Sequence, residues 1–283
     1  MKFAFVTCVQ LGLSCMEEIY RSGGKLDLVI TLRDDIAAQK SGRIYVDEFC
    51  SRHNIPVVKV KNVNDDQAIH AVRENGIDWL FIIGWSQIAR LPALQAPRRG
   101  ALGMHPTLLP VGRGRASIPW AIIKNLPETG VTLFQLDEGV DTGPILAQER
   151  LPLAADETAT GLYQRVDDAH RALIHRVWPT LVDDSVQLIP QDDAQSTCWP
   201  GRKPEDGLIS AGMTVEVTEA LVRATTHPYP GAFWQEEKNL IRIWRGTVGN
   251  ATEAPPSGAK RFTVSNGVYD ALDYQIESLE DAG

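Results

Sequence analysis

The sequence predicts an α/β protein with a parallel sheet in its N-terminal part and a smaller, β-rich C-terminal domain. Short apolar runs alternate with amphipathic stretches over the first two thirds of the 283 residues, as in strands joined by crossover helices. From residue 198 onwards the pattern changes to short strands separated by turn-forming residues. We therefore expect one domain over residues 1–197 and a second over residues 198–283.

The elements of the first domain follow one another in order. The apolar runs that predict strands cover residues 2–8, 26–32, 56–60, 79–83, 101–104, 131–136 and 145–151. The intervening stretches with helical spacing cover residues 13–20, 46–53 and 65–75, and a last one covers residues 158–182. This last helix is the most distinct, because its apolar residues recur at steps of three and four: Leu162, Val166, Ala169, Leu173 and Val177.

The second domain contains one predicted helix, over residues 215–224, followed by a hairpin. Residues 232–234 and 240–244 flank the turn-forming segment 236–239. Within the second of these strands Ile241 and Ile243 alternate with arginines, which is typical of a strand with one buried face.

Composition limits the classes of function. The net charge of −8 and the isoelectric point near 5.3 argue against general binding of nucleic acid or anionic membrane. No apolar run reaches membrane-spanning length, and the start, MKFAFVTCVQLG, predicts no signal peptide. The four cysteines are scattered, which disfavours a disulfide framework and a zinc site and suits a reducing compartment. We expect a cytoplasmic protein.

The segment ALGMHPTLLPVGRGR contains the first candidate for chemistry. His105 follows the predicted strand 101–104, and open α/β sheets bind ligands at the carboxyl ends of their strands. Pro106 and Pro110 stiffen the turn that follows. His105 is either a general base or a turn histidine that bonds to the backbone, and this segment alone leaves both interpretations open.

The second candidate is LDEGVDTGPILAQ, in which a strand ends in three acids separated by glycines. Asp141 could orient a histidine and stabilise its charged form, or the segment could be a solvated acidic turn. The first strand is followed by TCVQLGL, which contains neither glycine-rich phosphate motif. His170 and His175 lie five residues apart, the wrong spacing for a shared metal, so we expect no metal and assign both to the surface or to packing.

Together, the stretch HPTLLPVGRGRASIPWAIIKNLPETGVTLFQLDEGVDTGPILAQ closely resembles the folate-dependent formyltransferases. Their signature is a His-x-Ser/Thr-Leu-Leu-Pro turn followed later by Asp-x-Gly. The stretches CWPGRKPEDGLI and VRATTHPYPGAF extend the resemblance into the second domain. The resemblance implies a Rossmann-like catalytic domain over 1–197, an OB-fold-like domain over 198–283, 10-formyltetrahydrofolate as donor and an amine as acceptor.

The resemblance also implies roles for individual residues. His105 matches the catalytic histidine of the family and Asp141 its catalytic aspartate. Two further segments match those whose backbone surrounds the folate pteridine: Gly84, Trp85, Ser86, Gln87 and Ile88, and Leu136, Asp137, Glu138, Gly139 and Val140.

One position departs from the family pattern. The family has an asparagine two residues before the histidine, which donates to the formyl oxygen as charge develops, and this chain has Gly103. Loss of one such donor typically costs on the order of a hundredfold in rate. A backbone N–H or water could replace it, another side chain could reach in, or activity could be low. We favour replacement, because the rest of the motif is kept.

The family acts on several acceptors. Residues 201–283 hold 8 Lys and Arg against 12 Asp and Glu, a net −4 that is unsuited to methionyl-tRNA. The missing phosphate loop argues against glycinamide ribonucleotide. The match looks closest to enzymes that formylate nucleotide-linked 4-amino sugars for surface polysaccharides. Arg113 and Arg115 would then bind phosphates or be structural, with equal weight.

Other interpretations stay open at this stage. The acceptor could be methionyl-tRNA, or an amino acid or siderophore precursor. The chain could also be a silent relative that binds folate or nucleotide without turnover. A homodimer is compatible with the sequence, which does not specify the oligomeric state.

Overall fold

The computed structural model describes residues 1–37 and 42–279, which divide into two compact units. Unit 1 comprises Met1–Arg113, Gly130–Leu151 and Val166–Cys198, and unit 2 comprises Gly114–Thr129, Pro152–Arg165 and the chain from Trp199. Unit 2 thus includes two segments that the predicted boundary after residue 197 assigns to the N-terminal domain. The last four residues of the predicted second domain, 280–283, lie outside the described residues.

Each predicted strand and helix has a counterpart within a few residues, and the structure adds short elements that were not predicted. The strands are β1 (Phe3–Val6), β2 (Leu28–Leu32), β3 (Val57–Val60), β4 (Trp79–Ile82), β5 (Gly100–His105), β6 (Arg113–Gly114), β7 (Glu128–Gln135), β8 (Ile145–Pro152), β9 (Cys198–Trp199), β10 (Ala232–Gln235), β11 (Asn239–Gly249), β12 (Lys260–Val264) and β13 (Gly267–Ser278). The helices are α1 (Gln10–Arg21), α2 (Asp34–Ala37), α3 (Asp47–Arg52), α4 (Asp66–Glu74), α5 (Leu91–Leu94), α6 (Ser117–Ile123), α7 (Ala159–Val182) and α8 (Val215–Thr225). None of these described helices has the length and apolar character needed to span a bilayer.

A seven-stranded sheet in the described chain has the order β3-β2-β1-β4-β5-β7-β8. Strands β1 to β5 are parallel, as predicted, and the strand order reverses between β1 and β4, where ligands bind in doubly wound sheets. The sheet departs from the predicted parallel arrangement at β7, which runs antiparallel to β5. The helix between these two strands, α6, belongs to unit 2, where it packs against α8, so β5 and β7 are not joined by a parallel crossover within unit 1.

Alternation along the central strands separates the two faces of this sheet. Ala4, Val6, Leu80 and Ile82 belong to one buried cluster, which also contains side chains of α4 and α5. On the opposite face Phe3 and Phe81 lie against Trp178 of α7. Burial on both faces explains why these strands are continuously apolar in sequence.

The strands of unit 2 form an antiparallel sheet whose order, within the described residues, is β10-β11-β13-β12. The predicted hairpin is confirmed, with Trp234 opposite Ile241 and Ala232 opposite Ile243. Both isoleucines are buried in a core shared with Leu221 and Val222 of α8, which explains their alternation with half-buried residues. The C-terminal part is therefore β-rich, as the sequence predicts.

Candidate active site

His105 ends β5 at the carboxyl edge of the sheet and is 8% exposed. Its Nε2 lies 2.8 Å from the carbonyl oxygen of Gly112. Because a carbonyl oxygen can only accept a hydrogen bond, Nε2 carries the hydrogen and donates it. In the neutral ring Nδ1 is therefore the basic nitrogen, and it lies 3.6 Å from Oδ2 of Asp141.

The turn after His105 is fixed by side chains from the neighbouring strands. The Thr132 hydroxyl of β7 donates to the carbonyl oxygen of Thr107 at 2.7 Å and accepts from the backbone N–H of Leu109 at 3.0 Å. The Gln148 amide of β8 donates to the carbonyl oxygen of Leu109 at 2.8 Å. These bonds complement the two prolines and leave little freedom in the path from His105 to Gly112.

Gly112 itself is held from the other side by Thr197. The hydroxyl of Thr197 accepts from the backbone N–H of Gly112 at 2.9 Å, and its carbonyl oxygen accepts from that of Arg113 at 2.9 Å. Gly112 has a φ of 74°, a conformation that glycine adopts without steric cost. The carbonyl that orients the His105 ring is thus fixed in direction.

The acidic segment is a tight loop that its own side chains stabilise. Oδ1 of Asp137 accepts from the backbone N–H of Gly139 at 3.0 Å and from the Thr142 hydroxyl at 2.7 Å. A Cβ on Gly143 would lie 1.8 Å from the carbonyl oxygen of Gln135, so only glycine fits there. Asp141 has a φ of 55°, which aspartate tolerates better than most residues.

Arg113 is buried, at 6% exposure, and its guanidinium is engaged. Its Nε and Nη2 donate to Oε1 of Gln191 at 3.1 and 2.8 Å, and Nη2 also donates to Asp193 at 2.7 Å. The amide nitrogen of Gln191 donates in turn to the carbonyl oxygens of Asp141 and Gly143 at 2.8 and 2.7 Å. These contacts favour the structural alternative for Arg113, which anchors the Asp141 loop through Gln191.

Arg115, two residues further on, is exposed. Its backbone N–H donates to the carbonyl oxygen of Trp199 at 3.1 Å, and its guanidinium forms no hydrogen bond or ion pair within residues 1–37 and 42–279. Gly114 separates the two arginines with a φ of 107°, and a Cβ there would lie 2.4 Å from the same carbonyl oxygen. The phosphate-binding alternative therefore stays a prediction for Arg115.

Gly103 lies on the same face of β5 as His105. A Cβ at this position would lie 2.7 Å from Cδ2 and 3.1 Å from Cγ of Leu136, so the leucine occupies the space where a longer side chain would begin. Leu136 also packs against the buried cluster of this face. An asparagine at 103 would therefore have to displace a packed side chain.

A cavity of about 660 Å³ in unit 1 is bordered by the loop that carries Asp141. Four of the residues predicted to surround the pteridine line it, namely Leu136, Asp137, Glu138 and Gly139. Its other walls come from residues that sequence reasoning did not single out: Leu91, Leu94, Gln95, Pro97, Arg98, Arg99, Gly100, Gln135 and Pro144. The volume is within the range of roughly 300–1,000 Å³ typical of small-molecule sites.

The other predicted folate segment, Gly84 to Ile88, follows β4 but does not line this cavity. A Cβ on Gly84 would lie 2.4 Å from Val9, which follows β1, so this segment passes close to the point where the strand order reverses. Oε1 of Gln87 accepts from Trp85 Nε1 and from the backbone N–H of Val63, both at 3.2 Å. The side chains of Ile88 and Val140, the last residues of the two predicted folate segments, are 78% and 60% exposed. Ser86 has an interaction partner within the protein.

Two histidines assigned to the surface or to packing differ in their environment. His175 is exposed beside Glu18. His170 is fully buried on α7, where its Nδ1 lies 2.7 Å from the carbonyl oxygen of Val166, and its Nε2 has no hydrogen-bond partner in the described chain. Burial, together with a smaller effect of charge on His105, lowers the pKa of His170 to about 4, although the hydrogen bond to Val166 opposes this shift. A search of residues 1–37 and 42–279 finds no cluster of His, Cys, Asp and Glu suited to a metal.

Two family models match this chain. The model described as formyl transferase matches residues 13–178, and the model of the formyl transferase C-terminal domain matches residues 202–269. The first alone covers more than half of the chain. The chain belongs to the formyl transferase family. His105, Asp141 and the cavity beside the Asp141 loop all lie within the residues matched by the first model.

Solved structures of formyltransferases share this fold at low sequence identity. The N-formyltransferase of Helicobacter canadensis, solved with folinic acid and dTDP-3-aminofucose, is 18% identical with a TM-score of 0.70, covering 97% of this chain and 100% of that one. The methionyl-tRNA formyltransferase of Clostridium thermocellum is 18% identical with a TM-score of 0.63, covering 98% and 99%. HypX of Aquifex aeolicus, in a variant form, is 15% identical with a TM-score of 0.68, covering 97% of this chain and 44% of that one.

Several residues that shape this formyltransferase site were not found by sequence reasoning. Thr132, Gln191 and Thr197 act through hydrogen bonds to backbone atoms of the two loops. These partners lie 23 to 85 positions away along the chain, so the pairing has no local signal. Thr132 and Gln148 lie within the quoted family stretch, but nothing in it distinguished them from their neighbours.

Proposed function

We propose that the chain transfers a formyl group from 10-formyltetrahydrofolate to the amine of a nucleotide-linked amino sugar. The observation that carries the proposal is the arrangement of His105. Its Nε2 is fixed on the Gly112 carbonyl, and its Nδ1 faces Asp141, whose loop borders the cavity of about 660 Å³. This arrangement combines a fixed proton acceptor with a site of the right size.

His105 is the general base. The acceptor amine forms a C–N bond with the formyl carbon while the bond from that carbon to folate N10 breaks. Nδ1 of His105 takes the proton that the amine loses and returns it to N10, so that atoms and charge balance. The imidazolium formed in between has a carboxylate 3.6 Å from Nδ1 and a carbonyl oxygen 2.8 Å from Nε2. Both stabilise its charge.

The cavity fits a pteridine in size and in chemistry. Leu91, Leu94 and Leu136 offer apolar walls for a flat ring, while the backbone at Asp137 to Gly139 offers polar groups for its edge. Neither His105 nor Asp141 lines the cavity, so the donor would hold its pteridine there and extend the activated formyl group past Asp137–Gly139 towards His105. Leu136 takes the space above Gly103, which supports a site built around glycine, with a backbone N–H or a water molecule as the favoured donor to the formyl oxygen.

A nucleotide-linked amino sugar is the acceptor that the charges favour. The C-terminal 83 residues carry a net charge of −4, which opposes a polyanion such as tRNA but not a small ligand held by local cations. The neighbour from Helicobacter canadensis was solved with such a sugar nucleotide. We also propose that the reaction takes place in the cytoplasm and that its product is used for a surface polysaccharide.

The test is a panel of acceptors incubated with the protein and 10-formyltetrahydrofolate. The panel contains nucleotide-linked amino sugars, methionyl-tRNA and free amino acids, and mass spectrometry records the gain of a formyl group. We expect formylation of at least one amino sugar nucleotide and none of methionyl-tRNA. Formylation of tRNA alone would overturn the acceptor class. Folate binding without turnover on any acceptor would show a silent relative.

A further inference from the structure

Unit 2 contains a small pocket beside an indole ring that carries two cations. The indole of Trp120 is held by a hydrogen bond from its Nε1 to the carbonyl oxygen of Pro200 at 2.8 Å. The Arg202 guanidinium lies 5.1 Å and the Lys124 ammonium 5.5 Å from its ring centroid. The ring therefore fixes Arg202 through a cation–π contact, which leaves N–H groups of the guanidinium for a ligand.

The pocket next to this ring has a volume of about 140 Å³ and lies wholly within unit 2. Its apolar walls are three prolines, Pro119, Pro204 and Pro230, together with Tyr229. Its polar wall is formed by Arg202 and Lys203. The volume is below the roughly 300–1,000 Å³ of sites that enclose a whole small molecule. The pocket therefore suits only one part of a larger ligand, packed against the prolines and Tyr229, with an anionic group at the wall formed by Arg202 and Lys203.

The cations around this pocket are not neutralised by the protein. Across residues 1–37 and 42–279, no carboxylate forms an ion pair with Arg115, Lys124, Arg202 or Lys203. Arg202 donates only to the carbonyl oxygen of Asp206, at 2.7 Å. The Asp206 carboxylate accepts from the backbone N–H of Lys203 at 2.6 Å, so its charge is directed at the backbone.

Arg202 is the most informative of these cations, because it is half-buried. Burial lowers the pKa of its guanidinium, although the nearby Asp206 carboxylate opposes this shift. A cation that loses hydration without gaining a paired anion is destabilised, and a bound anion would remove that cost. Arg115 extends the cluster, since its Nε and Nη1 lie 3.6 Å from where a Cβ on Gly201 would be.

We infer that the cationic wall of this pocket, Arg202 and Lys203, with Arg202 held on the Trp120 ring, binds the diphosphate of a nucleoside diphosphate. The inference rests on the proposed function, whose acceptor contains such a diphosphate. Two adjacent cations, with two more nearby, suit a ligand of charge −2 to about −3 better than a single carboxylate. The glutamate tail of folate is the competing source of oxyanions.

The test measures binding of three probes to the full chain by calorimetry: thymidine 5′-diphosphate, inorganic pyrophosphate and glutarate. We expect both diphosphates to bind, more weakly as salt rises, and glutarate not to bind. Arg202→Ala should weaken diphosphate binding at least about tenfold, and Lys203→Ala several-fold. Arg245→Ala removes the same charge from an exposed site on β11 and should change the Kd less than about twofold.

The outcomes separate this inference from the proposed function, because binding is measured without turnover. Unchanged diphosphate affinity in both Arg202→Ala and Lys203→Ala would overturn the inference even if the chain formylates amino sugars. A loss of folinic acid affinity in these variants, with diphosphate affinity kept, would assign the pocket to the folate tail and overturn it too. Arg202→Lys keeps the charge and should retain most of the affinity, which separates charge from a folding defect.

Discussion

The arginines in the loops around His105 and those near the pocket beside Trp120 differ in whether the protein neutralises their charge. Arg113 is buried, and its guanidinium is engaged by Gln191 and Asp193. Arg115 and Arg202 lie in unit 2 and have no carboxylate partner in the described part of the chain. Proton transfer requires a base held within a narrow geometry, whereas phosphate binding requires cations that the protein has not neutralised. The first region is therefore satisfied internally and the second is not.

The largest expected effect comes from breaking the fixed pair. His105→Asn and Asp141→Asn should each lower kcat by about a hundredfold or more, because the first removes the base and the second the charge that stabilises it. Affinity for folinic acid should stay within a few-fold of wild type. Steady-state kinetics on a verified acceptor checks this, and near-normal turnover in either variant would contradict the assignment.

The sequence identified this pair but not what holds it. His105 and Asp141 lie in motifs whose residue types and spacing are read locally. The Gly112 carbonyl that orients the ring is a backbone atom, and its direction depends on Thr197, 85 positions away. The sequence left both Arg113 and Arg115 undecided between a structural and a phosphate-binding role for the same reason. What decides the role of Arg113 is its contact with Gln191 and Asp193, which are distant in sequence. Long-range partners of this kind carry no local signal.

The fold was predictable where burial alone decides it. Strands β1, β2 and β4 are buried on both faces and were recognised from their apolar runs. The direction of β7 was not predicted. It depends on which element α6 packs against, and the sequence pattern of α6 does not show this. The cavity walls at Leu91, Leu94 and residues 97–100 were missed for a similar reason. They border the cavity only because the loop at Asp137 lies beside them in the folded chain.

A second large effect concerns stability. Burial holds His170 neutral with a pKa of about 4, below its ordinary value of 6.5. The stability that this contributes is fully present above pH 6.5 and is lost as the pH falls towards 4, by on the order of 3 kcal/mol. Urea unfolding of wild type and His170→Gln at pH 7 and pH 4 tests it. The variant should lose less stability over this range, whereas His70→Gln, at an exposed site, should behave as wild type.

Variants at Gly103 test whether the site around His105 requires glycine at this position. Gly103→Asn should lower affinity for folinic acid about tenfold without raising kcat, because Leu136 would have to move into the cavity that it lines. Gly103→Ala adds only the Cβ and serves as the control for the backbone. Adding Leu136→Ala to Gly103→Asn should recover folinic acid binding. A rise in kcat of about tenfold in the single variant would show instead that the site lacked a donor.

The smallest expected effect separates the two arginines of one loop. Arg113→Ala should lower kcat about tenfold, since Gln191 loses its partner and the Asp141 loop loosens, while the acceptor KM changes little. Arg115→Ala removes the same charge two residues away and should raise the acceptor KM several-fold with kcat kept. Kinetics of both variants on one acceptor checks this. Reversed effects would assign the phosphate contact to Arg113.

The central claim is that chemistry and phosphate binding are divided between the two regions. Its most direct test measures kcat and the acceptor KM for Asp141→Asn and Arg202→Ala on the same verified acceptor. We expect Asp141→Asn to lower kcat about a hundredfold with KM within a few-fold, and Arg202→Ala to raise KM at least about tenfold with kcat within a few-fold. If Arg202→Ala lowered kcat as much as Asp141→Asn and left KM unchanged, the division would be wrong.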